Sequence, residues 1–178
     1  MAEDALIEPA TAQNLPEIHD DLVELLREVV NSGDTVGFLP PLSTDEATAF
    51  WDEVREALGG GGRRMLVARR AGRVVGTVQL DLAMQTNGQH RAEVIKLLVH
   101  RQARRQGLGR RLMDAIERVA QDEGRTLLVL DTRLGEPSED FYASSGYQRA
   151  GIIPHYAQSA DGTLHSTVLF YKELGQGA

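Results

Sequence analysis

The sequence predicts one α/β domain built on a mixed sheet of about seven strands. Three observations support this fold class. The chain has 178 residues, enough for a single domain with a core of ordinary size. Its composition, 42% apolar and 25% charged, is that of a soluble globular protein. Short β-prone runs alternate with longer segments of helical periodicity, and one strand–helix–strand unit requires two parallel strands.

The elements of the first half follow from local pattern. Helices are placed where apolar residues recur every three or four positions, and strands where β-prone residues run between turn signals. A strand, two helices and a hairpin are predicted at Ile7–Pro9, Leu15–Val30, Thr44–Leu58, Met65–Arg69 and Arg73–Leu82. Ser43 and Glu46 fit a capping box at the start of the second helix.

The second half predicts a βαβ unit followed by a short helix and two strands. These elements are placed at Glu93–Val99, Gly107–Glu123, Thr126–Leu130, Ser138–Ser144, Tyr147–Ile152 and Ser166–Lys172. The unit makes its two strands parallel, with a right-handed crossover. The predicted order is β-α-α-β-β-β-α-β-α-β-β, in one domain over residues 1–178.

Composition excludes several classes of function. The chain has no cysteine, which rules out disulfides, thiolate metal sites and a cysteine nucleophile. The five histidines show no metal-ligand spacing, so no metal is predicted. A net charge of −7 disfavours nucleic-acid partners. Neither a signal peptide nor a membrane-spanning run is evident, so we expect a cytoplasmic protein without a membrane partner.

The most informative segment lies between the strand 93–99 and the helix 107–123. It runs Arg104-Arg105-Gln106-Gly107-Leu108-Gly109-Arg110. Glycines let the backbone approach a ligand, and the first amides of a helix have no internal partner. Phosphate is the usual ligand of such a place, and Arg104 and Arg110 add charge-assisted hydrogen bonds. A Walker loop and a Rossmann fingerprint do not fit, because the Gly-Lys-Ser/Thr and the third glycine are missing.

This Arg-x-x-Gly-x-Gly segment resembles the acetyl-CoA pyrophosphate motif of the GNAT superfamily of N-acetyltransferases. Phe141-Tyr142-Ala143-Ser144-Ser145-Gly146-Tyr147 is similar to a second element of that superfamily, and the element order matches over nearly the whole chain. The resemblance implies a GNAT fold, with helices on both faces of the sheet and splayed parallel strands at the cofactor site. It also implies acetyl-CoA as cosubstrate.

Further short segments resemble the tabtoxin-resistance acetyltransferase group. They are Val36-Gly37-Phe38, Asn87-Gly88, Arg91-Ala92-Glu93-Val94, Leu130-Asp131-Thr132 and Asp161-Gly162-x-Leu164-His165-x-Thr167. These segments lie outside the cofactor motif, so they point to a shared acceptor pocket.

The resemblance assigns the cofactor-binding residues. The backbone of Lys96–Val99 would hold the pantetheine amides, and an N–H near Leu98 would polarise the thioester carbonyl. Phe141 and Ser145 would line the CoA arm. The full predicted set is Leu97, Leu98, Val99, Arg104, Arg105, Gln106, Gly107, Leu108, Gly109, Arg110, Phe141 and Ser145.

Three residues are predicted to carry the proton transfers. An aliphatic ammonium must lose a proton before it attacks a thioester. Glu93 and Asp131 are the candidate base and substrate anchor, on residue type, position and resemblance, and their mutual repulsion would raise one pKa. By the family pattern Tyr142 is the general acid, which donates a hydrogen bond to the departing thiolate.

The acceptor is less determined by the sequence. The tabtoxin-like resemblance implies a small polar primary amine, amino-acid-like or toxin-like. Polyamines, aminoglycosides and free amino acids remain open, as does a protein or peptide amine. A non-catalytic acetyl-CoA sensor is a further alternative, although it would not need Glu93, Asp131 and Tyr142 together. The oligomeric state also stays open, with a homodimer as one alternative and Ser166–Lys172 as its candidate contact.

Overall fold

The computed structural model describes residues 4–34 and 36–175; residues 1–3, 35 and 176–178 lie outside the described part. The expected domain 1–178 is therefore seen without its two ends. The elements are β1 Leu6–Ala10, α1 Leu15–Asn31, α2 Thr44–Gly59, β2 Arg63–Arg70, β3 Arg73–Leu82, β4 Arg91–Val99, α3 Leu108–Asp122, β5 Leu127–Arg133, α4 Ser138–Ser144, β6 Gln148–Gln158 and β7 Leu164–Glu173. Their order confirms the predicted α/β fold.

The helix ends follow from their capping residues. At α2 the Glu46 amide donates to the Ser43 hydroxyl (3.2 Å), and the Ser43 amide donates to the Glu46 carboxylate (3.0 Å). This is the predicted capping box, and it satisfies two backbone groups at once. Asn14 does cap α1 by position, but its side chain turns back to accept from the Thr11 amide (2.7 Å).

One seven-stranded mixed sheet forms the centre, in the order β1-β2-β3-β4-β5-β7-β6. Alternation along the strands divides its side chains between two faces. On β2, Leu66 and Ala68 pack in the core that contains α3, whereas Met65 and Val67 pack in the core that contains α1 and α2. The predicted arrangement, with helices on both faces, is confirmed.

The parallel pair β4–β5 opens partway along its length. Its register runs from Arg91↔Leu127 to Glu93↔Val129, and no later pair joins these strands within the described residues. Both strands continue, β4 to Val99 and β5 to Arg133. The gap between them is the splay that the resemblance implied.

Strands β5 and β6 are longer than the sequence predicts. β5 runs to Arg133, so Asp131 lies inside a strand and not at its end. β7 pairs with β5 on one side and β6 on the other, and β6 is the edge strand. β7 therefore has a partner strand on each edge, and the homodimer contact through Ser166–Lys172 stays a prediction. No helix within residues 4–34 and 36–175 is long and apolar enough to cross a membrane.

Candidate active site

The two predicted acids lie on the same face of the sheet, where β4 and β5 separate. Glu93 belongs to the last pair of the parallel ladder, opposite Val129. Asp131 lies two residues beyond Val129, and a period of two keeps it on the same face. β3 adds Asp81, which is the antiparallel partner of Glu93. Three carboxylates thus lie on one face of the sheet, near the point where β4 and β5 separate.

The surroundings of Glu93 favour its protonated form. Partial burial raises its pKa above the ordinary value, and the charges of Asp131 and Asp81 raise it further. Lys96 opposes this effect. Asp81 is itself neutralised by Arg63, whose Nη2 lies 2.9 Å from Oδ2. The expected repulsion between Glu93 and Asp131 is present, although burial is the larger cause of the shift.

Asp131 is held in place by β7. The Thr167 hydroxyl lies 2.6 Å from Asp131 Oδ2 and 2.9 Å from the Thr132 carbonyl, with its one proton available to either oxygen. Thr167 is 3% exposed, so its position is fixed by the sheet. From the sequence, Thr167 was part of a segment that resembles the tabtoxin-resistance group, with no role of its own. The pairing of Thr167 with the strand that carries Asp131 explains how the carboxylate is oriented.

Tyr142 reaches the site from α4. Its ring packs beside Phe141, Tyr147 and Phe170, with centroid distances of 5.2, 6.0 and 6.2 Å. Burial raises the pKa of Tyr142 to about 12, with a further contribution from the Asp131 charge. The phenol therefore keeps its proton at neutral pH. No hydrogen-bond partner for this hydroxyl is present in the described part of the chain.

The loop before α3 presents open backbone amides. Gly107 caps the helix in the left-handed region, with φ of +76°. Among the described residues, the amides of residues 105–110 have no acceptor within hydrogen-bond distance. A Cβ at Gly109 would stand 3.6 Å from the Phe141 ring, so α4 closes over one side of the loop. This geometry fits the predicted phosphate cradle.

Most of the arginines near this loop are already paired with acids from distant parts of the chain. Arg101 lies 3.4 Å from Glu28, Arg104 contacts Asp34, and Arg111 contacts Asp4. Arg104, which was predicted to bind the phosphates, is therefore already engaged by Asp34. Arg105 is exposed. Arg110 donates to the Ser144 carbonyl (2.9 Å) and hydroxyl (2.8 Å), which fixes it against α4.

The remaining predicted cofactor residues differ in what they offer. Leu98 is buried in the core beneath α1 and α2, and Leu97 and Val99 pack toward the α3 side. Only their backbone groups along the gap are suited to bind a ligand, except the Val99 carbonyl, which accepts from Arg104 Nε at 2.9 Å. The side-chain amide of Gln106 donates to the Gln102 carbonyl (2.9 Å). The Ser145 hydroxyl donates to the Phe141 carbonyl (2.7 Å), so it is engaged within α4.

The side chain of Lys96 is a site group that the sequence did not predict, since only the backbone of this residue had been assigned, to pantetheine. Lys96 lies at a register irregularity of β4, with φ of +51°, and its side chain points to the loop between α1 and α2. There its ammonium donates to the Val36 carbonyl at 2.9 Å. Phe38 and Phe50 present their rings to it at 5.6 and 5.7 Å. Lys96, Glu93 and Asp131 lie close enough for the two carboxylates to affect the pKa of Lys96; we call these three side chains the charged cluster.

Three aromatic residues, Phe38, Trp51 and Tyr156, differ in their surroundings. Phe38 lies beside the charged cluster, through its contact with Lys96. Trp51 is fully buried, and its indole N–H donates to the Leu22 carbonyl at 2.9 Å, so it is a core residue. Tyr156 lies on the edge strand β6 and is 54% exposed.

The raised pKa of Glu93 predicts a stability effect. Folded protein keeps the proton to higher pH than the unfolded chain, so stability falls as pH rises from the ordinary value of 4.5 through the raised pKa. Glu93→Gln removes this penalty. We expect its free energy of unfolding to exceed the wild-type value by roughly 0.5 kcal/mol at pH 7, the size of partly exposed charge effects.

Urea denaturation at pH 7 and pH 4 checks this expectation. The difference between the variant and the wild type should shrink toward pH 4, where the carboxyl is protonated in both states. A variant that is less stable at pH 7, or a difference independent of pH, would contradict the electrostatic account.

Comparison with known proteins links this site to a family of acyltransferases. Residues 24–147 match the model of the acetyltransferase (GNAT) family. The chain is also 32% identical over 112 residues to N-acetyltransferase 8 of Rattus norvegicus. That match covers 62% of this chain and 49% of the relative, so the chain spans about half the relative's length.

Solved structures share the fold over nearly the whole chain. A GNAT acetyltransferase of Streptococcus pneumoniae superposes with a TM-score of 0.78 at 19% identity, covering 96% of this chain and 100% of that one. Ribosomal-protein-alanine N-acetyltransferase of Brucella melitensis gives 0.75 at 24%, covering 95% and 99%. An acetyltransferase of Salmonella typhimurium, solved with its cofactor acetyl-CoA, gives 0.74 at 20%, covering 99% and 97%. These likenesses establish the shared fold.

Proposed function

The chain belongs to the acetyltransferase (GNAT) family, and on that premise we propose that it transfers the acetyl group of acetyl-CoA to a primary amine of a small polar acceptor, amino-acid-like or toxin-like. One observation carries the proposal: the β4–β5 gap opens beside Glu93 and Asp131, on a sheet whose β4 leads into the open amides of residues 105–110. The segments that resemble the tabtoxin-resistance group support the acceptor class.

The chain's own groups fit the donor substrate. The amides of residues 105–110 are suited to the pyrophosphate, because they are unpaired and lie at the positive end of α3. The backbone of Leu97–Val99 along the gap is suited to the amides of pantetheine. Acetyl-CoA, when bound, supplies the thioester carbonyl that accepts the amine. A backbone N–H near Leu98 would stabilise negative charge on that carbonyl oxygen.

Glu93 is the base in this proposal, and Asp131 is the anchor for the amine. A base works best with a pKa near the working pH, and burial moves the pKa of Glu93 in that direction. Asp131 is oriented by Thr167 and is suited to hold the acceptor ammonium near Glu93. Glu93 then takes the proton, and the neutral amine attacks.

Tyr142 is the hydrogen-bond donor to the leaving sulfur. Its pKa of about 12 keeps it protonated throughout the working range. A thiol has a pKa of about 8.5, so the departing thiolate accepts this hydrogen bond readily. Because the hydroxyl has no partner in the described structure, it is available to the substrate.

Acetyl-CoA turnover tests the proposal. Free-thiol release is measured against a panel of amino acids, polyamines, aminoglycosides and a lysine-containing peptide, with acetyl-CoA binding measured separately. Turnover on a small polar amine is the expected result. Binding without turnover of any small amine would transfer support to a protein acceptor or to a sensor. No binding of acetyl-CoA would contradict the proposal.

A charge introduced into the loop before α3 should weaken acetyl-CoA binding without lowering the stability of the free protein. Gly109→Asp places a carboxylate among the open amides, where it repels pyrophosphate but favours the helix terminus. We expect acetyl-CoA to bind about 10- to 100-fold more weakly, the effect of losing charge-assisted hydrogen bonds. Calorimetry measures the binding, and thermal unfolding of the free protein should show no loss of stability.

The uncharged Gly109→Asn variant is the matched control, since it has the same shape. Its affinity should lie between that of the wild type and that of the aspartate variant. Equal affinities for the two variants would show that steric contact with Phe141, and not phosphate repulsion, determines the result.

A further inference from the structure

Lysine is rare in this chain and is confined to half-buried places. The sequence contains 17 arginines but only two lysines, Lys96 and Lys172. Lys172 is paired in the ordinary way, 2.7 Å from the Glu117 carboxylate. Lys96 lies three residues after the proposed base, and the two side chains belong to the same charged cluster. A compact ammonium has therefore been placed beside the acceptor site, where the chain elsewhere uses guanidinium groups.

The loop between α1 and α2 is shaped around the Lys96 ammonium. The Val36 carbonyl accepts one of its protons, and the ring centroids of Phe38 and Phe50 lie 5.6 and 5.7 Å from Nζ. Gly37 has a φ of +88°, and a Cβ there would stand 3.1 Å from Nζ. Cation–π contacts of this kind hold a cation without neutralising it.

In the part of the chain that the structure describes, the opposite charges of the charged cluster form no ion pair. Within the described residues, no carboxylate lies within 4.0 Å of Lys96 Nζ, although Asp131, Asp81 and Glu93 are close enough to affect its pKa. Thr167 restrains Asp131, and the aromatic rings and Val36 restrain Lys96. Because an ammonium has three donors, two remain for another partner. The fixed separation of charges fits a ligand that carries both signs.

We propose that Lys96 binds a carboxylate of the acceptor while Glu93 and Asp131 receive its amine, so that the acceptor is a zwitterion of the amino-acid class. This inference rests on the proposed function and narrows it. Polyamines and aminoglycosides carry no carboxylate for Lys96, and their positive charges would meet it unfavourably. Lys96 is thus the residue that determines specificity.

The pKa of Lys96 is consistent with this role. Burial lowers it, and the nearby Arg63 lowers it further, while the three carboxylates act in the opposite direction. A bound carboxylate would stabilise the ammonium and raise the pKa. A lysine that only braced the α1–α2 loop would show no such response to the acceptor.

Matched pairs of acceptors test the inference. Amino acids and their amides are compared as substrates of the wild type, Lys96→Met and Lys96→Arg. Methionine has a similar length and suits the aromatic surroundings. We expect Lys96→Met to lower kcat/KM for the amino acid by about 10- to 100-fold, as for the loss of a charge-assisted hydrogen bond, and to change the amide by less than about threefold. Lys96→Arg should retain part of the preference.

An equal loss on acid and amide would overturn the inference, because a bracing lysine affects both alike. Lys172→Arg is the control outside the site and should alter neither substrate. Each comparison uses the same substrate in two proteins, so differences in amine basicity between acid and amide cancel.

A binding measurement separates this inference from the proposed function. Selective ¹³Cε-lysine labelling gives two NMR signals, since the chain has two lysines, and Lys172→Arg assigns them. Free amino acids, but not their amides, should shift the Lys96 signal. If no amine is acetylated yet amino acids shift this signal, the proposed function fails and the carboxylate site stands. If none of the amino acids shifts it, the carboxylate site is refuted, whether or not other amines are acetylated.

Discussion

Replacement of Glu93 by glutamine is expected to lower kcat by about 10²- to 10³-fold, within the range for loss of a general base. Glutamine keeps the shape of the side chain but cannot accept the amine proton at neutral pH. Glu93 lies where the pairing of β4 with β5 ends, whereas the amides of residues 105–110 follow the far end of β4. Acetyl-CoA affinity should therefore stay within about twofold of wild type. Steady-state kinetics and calorimetry measure the two quantities.

The pH dependence gives the same variant a second readout. Wild-type kcat/KM should rise as pH increases through the raised pKa of Glu93, because the protonated carboxyl cannot act as a base. Glu93→Gln should lack this ionisation. Glu173→Gln makes the same chemical change at an exposed residue near the end of β7 and should have no effect. Full activity of Glu93→Gln would reassign the base.

Asp131→Asn helps to distinguish the roles of the two acids, Asp131 and Glu93. If Asp131 anchors the ammonium, its loss should mainly raise KM for the acceptor, whereas loss of the base mainly lowers kcat. The double variant should be less impaired than the sum of the two single changes, since both residues act on one amine.

Replacement of Tyr142 by phenylalanine is the second large effect. We expect kcat to fall by about 10²-fold, at the lower end of the range for general acid catalysis. The ring and its contacts with Phe141, Tyr147 and Phe170 are retained. Because the hydroxyl has no partner among the described residues, thermal stability should be unchanged.

Tyr171→Phe is the matched control for this change. Its hydroxyl donates to the Gln148 side chain (2.9 Å) on the exposed part of the sheet. That variant should keep wild-type kinetics. If Tyr142→Phe kept full kcat as well, protonation of the sulfur would have to come from water, and Tyr142 would be a packing residue.

Local pattern was enough to predict the elements of the fold. Helical spacing placed α1 and α3, and the Ser43–Glu46 pair placed the start of α2, since capping is a property of neighbouring residues. The splay of β4 and β5 came from the family resemblance, because nothing in the composition of either strand records where their pairing stops. The end of β5 was missed because polar residues continue the strand beyond its apolar run. The end of β6 was missed because Pro154 and the irregular pairing between Ile153 and Ala157 interrupt its pattern.

Contacts between distant parts of the chain set the limit of prediction at the site. The arginines near residue 104 looked unpaired because their acids, Asp4, Glu28 and Asp34, lie far away in sequence. Thr167 became recognisable only once β7 was placed beside β5. Lys96 is similar, since its neighbours come from the α1–α2 loop, about 60 residues earlier in the chain.

The fate of a labelled acetyl group tests the central claim most directly. Acetyl-CoA labelled in the acetyl carbon is incubated with the protein and the amine panel, and the products are separated and identified. Our account predicts label in the stable amide of a small amine, with little in free acetate, and loss of that amide in Glu93→Gln. Label that appears only as acetate, or that never leaves CoA with any amine, would contradict it.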